Sequence, residues 1–138
     1  MTKRTNGHDE SLDRLTISGI EGFGHHGVFE AERRDGQLFL ADLVLAVDTR
    51  TAARTDDLQD TVDYGSLVAS VVKAIESDPV DLIEKLAERI ADTCLEDDRV
   101  RSVEVTVHKP HAPVDATVGD IALTITRMPS PSEGSGAP

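Results

Sequence analysis

Four side chains that could carry chemistry lie in separate parts of the sequence, namely Glu32, Tyr64, Glu84 and Lys109. Lysine, tyrosine and carboxylate groups all donate or accept protons during catalysis. Lys109 follows the alternating stretch VEVTVH and precedes Pro110, whose ring keeps the backbone of the preceding residue extended. The sequence therefore places an amine at the end of a predicted strand, where a stiff loop can hold it still.

Each of these four residues also has an ordinary structural explanation. Glu32 lies in a glycine-rich connection and can be a solvated charge paired with a neighbouring arginine, and Tyr64 can be the first core residue of a helix. Glu84 follows Asp81 by three positions, which fits a D-x-x-E capping arrangement at the positive end of a helix. Lys109 can be a surface lysine, as most loop lysines are. The spacing alone leaves both interpretations open.

The histidines do not share a spacing that favours a metal site. Four of them could be considered as zinc ligands, namely His25, His26, His108 and His111. Pro110 prevents a helix that would place the last two on one face, and we expect the single Cys94 to be a buried thiol on an apolar helix face. The sequence contains no phosphate-binding loop, dinucleotide fingerprint or G-x-S-x-G motif. We therefore predict no metal site and no cofactor.

Length and charge restrict the possible partners. The chain has 138 residues, the size of one domain, with 26 acidic and 14 basic residues and a formal net charge of -12. Such a charge repels nucleic acids and anionic membrane surfaces. The first residues, MTKRTNGHDESLD, lack the apolar core of a signal peptide, and no apolar run has membrane-spanning length. We expect a cytoplasmic protein with no nucleic-acid or membrane partner.

Apolar periodicity predicts four strands and two helices. A stripe of apolar residues spaced by three and four positions indicates a helix that is capped by Asp63 and continues to Ile75. A second helix with a similar stripe starts near Asp81. The connections at 22–36 and 50–60 are predicted to be irregular, the first glycine-rich and the second charged. Alternating residues indicate strands at 15–20, 37–49, 103–108 and 121–125.

The resulting order, ββααββ, predicts an α+β fold with two helices on one face of a four-stranded antiparallel sheet. Three Phe, one Tyr and no Trp indicate a thin aliphatic core, and the other sheet face is mostly polar. Because exposed sheet edges can pair between chains, help from neighbouring subunits is expected. We assign the folded domain to residues 13–127, between a flexible segment at 1–12 and a disordered tail at 128–138 rich in Pro, Gly and Ser.

Four segments lie in an order that is typical of one known family: GFGHHGVFEAERRDGQ (22–37), DTVDYGSLV (60–68), DLIEKLAERIA (81–91) and VTVHKPHAPV (105–114). Together they resemble bacterial dihydroneopterin aldolase. The resemblance implies a tunnelling fold, in which four subunits join their sheets into a sixteen-stranded barrel and two such rings stack as an octamer. The active sites would lie between neighbouring subunits.

The resemblance also implies a reaction and the residues that perform it. Members of this family split 7,8-dihydroneopterin into 6-hydroxymethyl-7,8-dihydropterin and glycolaldehyde in folate biosynthesis, without a metal or a Schiff base, and some also epimerise the substrate. Lys109 matches the catalytic lysine, Tyr64 the catalytic tyrosine supplied across the subunit interface, and Glu32 a loop carboxylate near the substrate side chain.

Three further matches concern binding of the pterin ring. Glu84 matches the carboxylate that accepts hydrogen bonds from the amino group and ring N–H of the pterin, a two-acceptor arrangement suited to two parallel donors. Ile83 matches a position whose backbone contacts the pterin edge. Val62 matches a main-chain contact from the adjoining subunit.

Two other functions stay open at this point. A dihydroneopterin or dihydroneopterin triphosphate epimerase of the same fold would invert the substrate without releasing glycolaldehyde, and a triphosphate would need cations such as Arg33 and Arg34. A non-catalytic pterin-binding ring scaffold would bind through Glu84 and would be indifferent to Lys109→Ala. Measuring glycolaldehyde, the hydroxymethyl product and the epimer distinguishes the three.

Overall fold

The computed structural model describes residues 12–130, so most of the predicted flexible segment at 1–12 and of the predicted tail at 128–138 lies outside the described residues. The described chain forms strands β1 (Asp13–Gly24), β2 (Gln37–Val47), β3 (Ser102–His108) and β4 (Ala122–Arg127). The helices are α1 (Glu30–Asp35), α2 (Arg50–Thr55), α3 (Tyr64–Glu76) and α4 (Ile83–Leu95), with a short 3-10 turn at Leu58–Asp60.

The four strands form one antiparallel sheet in the order β1-β2-β3-β4. Helix α3 packs on β1, and α4 packs on β3 and β4. The predicted α+β class and the antiparallel sheet with two main helices are thereby confirmed. Strands β1 and β4 form the two edges of the sheet, so each chain presents one free edge at either side.

The core lies between the sheet and these two helices. Alternate residues of β2 point into it and are buried, from Phe39 to Val47, as the period-two pattern predicts. Phe39 is fully buried, whereas Phe23 and Phe29 are 51% and 55% exposed. The predicted aliphatic composition of the core is therefore confirmed, since Phe39 is the one aromatic side chain among its buried hydrophobic residues within 12–130. Cys94 is buried as predicted, and burial raises the pKa of its thiol to about 12, so it stays protonated.

The two long helices begin differently. Helix α3 is capped as predicted, because the Asp63 carboxylate accepts the Ser66 N–H at 3.2 Å. Helix α4 begins after Leu82 and has no side-chain cap. The predicted capping role of Asp81 is wrong, because its carboxylate instead binds Arg33 at 2.5 Å. No helix within residues 12–130 is long and apolar enough to cross a membrane.

Both connections predicted to be irregular contain a short helix. Helix α1 lies within 22–36 and α2 within 50–60, and each has six residues, too few for an apolar periodicity to be evident. Strand β1 also extends further than predicted, to Gly24. Its register shifts between Ile17 and Ile20, at a bulge that contains Gly19 in the left-handed conformation.

Candidate active site

Lys109 and Glu32 form an ion pair in which Glu32 is buried and the Lys109 side chain is largely buried. The Lys109 Nζ lies 2.6 Å from the Glu32 Oε2, and the two side chains are 14% and 6% exposed. The amide of Gln37 donates to the same carboxylate oxygen at 3.0 Å, and the Phe29 N–H donates to the other oxygen at 3.2 Å. These contacts bring together two of the four candidate residues predicted from the sequence.

The environment of Glu32 keeps its carboxylate ionised. Burial raises the pKa of Glu32, but the hydrogen bonds from Lys109, Gln37 and the Phe29 backbone lower this pKa by more, so it lies below the ordinary value. The alternative in which Glu32 is a solvated charge beside an arginine is wrong. Glu32 is on the inner side of α1, whereas the exposed Arg33 binds Asp81.

Lys109 occupies the position predicted for it at the end of a strand. Strand β3 ends at His108, and Pro110 follows. The Lys109 N–H donates to the Ile121 carbonyl at 2.8 Å, and the Lys109 carbonyl accepts the Ala112 N–H at 3.1 Å. The amine therefore extends from a backbone that is bonded on both sides, which restricts where its nitrogen can lie.

The loop before α1 is shaped around the Glu32 carboxylate. Gly27 has a φ of 150°, a conformation that residues with a side chain rarely adopt. A Cβ at this position would overlap the Glu32 carboxylate. The Gly27 N–H also donates to the Val80 carbonyl at 2.9 Å. The glycine thus lets the loop approach the buried carboxylate and the start of α4 at once.

His26 joins this loop to the turn between α3 and α4. It is buried, with 1% of its surface exposed. Its Nε2–H donates to the Ile75 carbonyl at 2.6 Å, and its Nδ1 accepts the Val80 N–H at 3.0 Å. These partners require a neutral imidazole, and burial lowers the pKa of His26 accordingly. His26 is therefore a structural histidine that holds the two segments together.

The other candidate residues are more exposed. Tyr64, the first residue of α3, is 63% exposed, so its interpretation as a core residue is wrong. Glu84 is exposed in the first turn of α4, where the helix dipole favours a negative charge. Ile83 is partly buried, and Val62 is buried. The contacts of Gly27 with Val80 and of Arg33 with Asp81 place the α4 start beside the Glu32 loop.

Tyr64 lies far from the ion pair of its own chain. Ile75, near the other end of α3, bonds His26 beside the Glu32 loop. Ile75 follows Tyr64 by eleven positions, which corresponds to about 16 Å along an α-helix. One chain therefore brings Glu32, Lys109 and the α4 start together and leaves Tyr64 at the opposite end of α3.

Several residues near the site were not singled out by the sequence analysis. Gln37 begins a strand that is otherwise largely apolar. This polar residue at the start of an apolar strand is the feature of the sequence that could have identified it as a site residue. Asp42 and Asp120 both bind His108, and His108 and Asp42 share the polar sheet face. No local pattern predicts the bonds of His26, because its partners belong to distant segments.

The chain matches the protein-family model for dihydroneopterin aldolase over residues 15–126. It is 52% identical to dihydroneopterin aldolase of Streptomyces coelicolor over 116 residues, which cover 84% of this chain and 98% of that protein.

Two solved structures are similar to this fold. One is Escherichia coli dihydroneopterin aldolase in complex with neopterin, with a TM-score of 0.77 and 28% identity, covering 83% of this chain and 98% of that one. The other is a Burkholderia thailendensis dihydroneopterin aldolase bound to guanine, with a TM-score of 0.70 and 25% identity, covering 88% of this chain and 95% of that one.

Proposed function

We propose how this chain, a member of the dihydroneopterin aldolase family, performs the aldolase step of folate biosynthesis. Its own Lys109–Glu32 pair acts together with the tyrosine of a neighbouring subunit. The reaction is the cleavage of 7,8-dihydroneopterin into 6-hydroxymethyl-7,8-dihydropterin and glycolaldehyde. The single observation that carries the proposal is the buried contact between Lys109 and Glu32. A lysine side chain that is only 14% exposed is uncommon unless it is paired or functional, and this one begins a loop whose other residues are mostly exposed.

Glu84 is our proposed ligand for the pterin ring, with the Ile83 backbone beside it. Neopterin and guanine, the compounds bound in the two similar structures, share an amino group next to a ring N–H. A carboxylate accepts both bonds in parallel. The exposure of Glu84 and its position beside the Glu32 loop support this role. The Val62 backbone would add a contact from the adjoining subunit.

The proposed mechanism follows the movement of one electron pair. In the ion pair Lys109 is an ammonium, so it first releases a proton to solvent; the neutral amine, acting through a water molecule, then accepts the proton of the side-chain hydroxyl. The carbon–carbon bond then breaks, glycolaldehyde leaves, and the electrons pass to the carbon attached to the ring, where the conjugated N5=C6 bond disperses them. Glu32 stabilises the ammonium that results. Tyr64 of the adjoining subunit gives a proton to the carbon, and the Lys109 ammonium returns a proton to the resulting phenolate through water. Our proposal therefore requires neither a metal nor a Schiff base.

A ring of subunits would bring Tyr64 to a neighbouring ion pair. Within one chain the tyrosine and the pair lie at different ends of α3. A head-to-tail contact repeated around a closed ring joins different surfaces of the same protein. The free edges of β1 and β4 fit such a ring, and we propose a tetrameric barrel stacked into an octamer. We further propose residues 13–127 as its folded unit and the cytoplasm as its location.

The decisive test of the reaction is a product assay. Purified protein is incubated with 7,8-dihydroneopterin, and glycolaldehyde, 6-hydroxymethyl-7,8-dihydropterin and the epimer are quantified. We expect equal amounts of the first two, and the same rate after dialysis against a chelator. Epimer without glycolaldehyde would favour an epimerase, and binding without either product would favour a pterin-binding scaffold.

A further inference from the structure

A second cluster of charged side chains lies on the polar face of the sheet, one residue away from Lys109. We propose that His108, as an imidazolium held between Asp42 and Asp120, is a positioning residue for Lys109. This inference deepens the function proposed above and rests on it. The histidine contacts the loop that Lys109 begins and not the substrate.

The geometry of the cluster is specific. The His108 Nε2 lies 2.7 Å from the Asp42 Oδ2, and its Nδ1 lies 2.7 Å from the Asp120 Oδ2. Asp42 also accepts the Gly19 N–H at 2.7 Å, at the bulge of β1. The three side chains are partly exposed, at 25% for His108, 35% for Asp42 and 41% for Asp120. The cluster thus connects β1, β2, β3 and the segment before β4.

These contacts hold together the two ends of the loop at residues 109–121. They lie on the sheet face opposite to the one from which the Lys109 side chain projects. Successive residues of a strand point to opposite faces, so His108 and Lys109 project to different sides. The Lys109 N–H bonds the Ile121 carbonyl, and Asp120 immediately precedes that residue. His108 therefore holds the returning segment of the loop next to the hydrogen bond that fixes the Lys109 backbone.

Both contacts require the charged form of His108. A carboxylate only accepts hydrogen bonds, and a neutral imidazole has one N–H, so it can serve one of the two aspartates. Loss of the proton would leave a nitrogen lone pair facing a carboxylate at contact distance. Asp120 and then Asp42 raise the pKa of His108 above its ordinary value, although partial burial lowers it.

The remaining neighbours of His108 are largely apolar. Leu40 on β2 and Ala122 on β4 lie directly opposite it in the sheet. Glu21 on β1 lies opposite Leu40, one strand further away. Because the histidine pKa is raised in the folded state, the stabilisation is complete below pH about 6.5 and is lost as pH rises through that raised pKa.

The first test compares two variants that each lose one side-chain contact between β3 and the β4 side of the sheet. His108→Ala removes the contact with Asp120, and also the contact with Asp42 on β2. Thr124→Val, the matched control, removes the Thr106–Thr124 hydroxyl bond of 2.8 Å on the same face. We expect faster hydrogen exchange of the Lys109 amide in His108→Ala alone. We also expect a roughly tenfold lower kcat with little change in KM, since misplacing a catalytic group by about 1 Å can cost about a hundredfold.

A second variant tests whether the charge matters. Asp120→Asn can donate to a neutral His108 Nδ1 while the Nε2–H donates to Asp42, so its loop stays bonded after the histidine loses its proton. We expect the wild-type kcat to decline with rising pH, in step with the loss of the His108 proton as followed by its imidazole resonance. We expect this decline to be absent from Asp120→Asn. Effects of pH on all other groups are common to both proteins.

The outcomes separate this inference from the proposed function. Unchanged Lys109 amide exchange in His108→Ala, or identical pH profiles for wild type and Asp120→Asn, would overturn the positioning role even in an active aldolase. A wild-type protein that releases no glycolaldehyde would instead overturn the proposed function. Amide exchange would then still decide whether His108 holds the loop.

Discussion

The two halves of the candidate site differ in how complete they are within one chain. The Lys109–Glu32 half is buried, and Gln37 and the Phe29 backbone add hydrogen bonds to the carboxylate. The other half consists of Glu84, beside that pair, and Tyr64, at the far end of α3, and both residues are exposed. A buried charge needs partners fixed by its own fold, whereas groups that await a ligand or a second subunit must remain accessible. The difference indicates that one chain by itself orders the Lys109–Glu32 pair, whereas the proposed roles of Glu84 and Tyr64 need a ligand or a second subunit.

Replacing Lys109 should give the largest effect on the buried half. We expect Lys109→Ala to lower kcat by about 10²–10⁴-fold, the usual contribution of a positioned acid or base. The Lys73→Ala variant, which removes an exposed lysine from the last turn of α3, is the matched control and should retain wild-type turnover. Turnover measured by glycolaldehyde release checks both variants, and near wild-type activity in Lys109→Ala would contradict the catalytic role.

Replacing Glu84 should affect ligand binding more than folding. A hydrogen bond to a charged group contributes about 1.5–3 kcal/mol, so Glu84→Ala, which loses two, should weaken binding of a pterin by about a hundredfold or more. Because the side chain is exposed, the melting temperature should barely change. Calorimetric titration with neopterin measures the loss. The comparison is Glu88→Ala, further along α4, where the replaced side chain is partly exposed and pairs with Arg127. Unchanged affinity in Glu84→Ala would remove it from the site.

Gly27→Ala tests whether the Lys109–Glu32 half depends on the close approach of the Gly27 backbone to the Glu32 carboxylate. We expect a loss of about 1–3 kcal/mol in unfolding free energy from backbone strain, together with reduced turnover because a methyl group would displace the Glu32 carboxylate. Gly19→Ala is the control, since it also has a positive φ but has open space around its Cβ position. Chemical denaturation and the product assay measure the two effects, and equal turnover in both variants would contradict the prediction.

The smallest effect concerns the pH dependence of stability through His26. Its folded pKa is lowered by burial, so the unfolded chain takes up a proton first as the pH falls below about 6.5. Stability from this residue is complete above that pH and declines below it until the folded pKa is reached. His26→Gln can keep only one of the two hydrogen bonds and should cost about 1–3 kcal/mol at neutral pH.

Denaturation of wild type and His26→Gln across this pH range measures the predicted difference. The gap in unfolding free energy between the two proteins should narrow as the pH falls, because the variant has no imidazole to protonate at this position. A gap that widens in acid would show that the buried form of His26 is charged. His108 should behave with the opposite sign, since its contribution declines towards alkaline pH.

The sequence predicted the strands and long helices well because each has a clear periodicity. Alternation in β2 and β3 and the apolar stripe of α3 predicted both their positions and their buried faces. The cap of α4 was predicted wrongly, because Arg33 competes for the Asp81 carboxylate from a segment distant in sequence. The contact between Lys109 and Glu32 depends on tertiary structure, and no spacing along the chain could reveal it.

The central claim is that a working site needs Lys109 from one subunit and Tyr64 from another. The most direct measurement mixes Lys109→Ala and Tyr64→Phe proteins, dissociates and reassembles them, and records glycolaldehyde release. Random reassembly should leave about a quarter of the interfaces with both native residues and restore about a quarter of wild-type turnover. Activity that stays at the average of the two separate variants would show that each site is built within a single chain and would contradict the account.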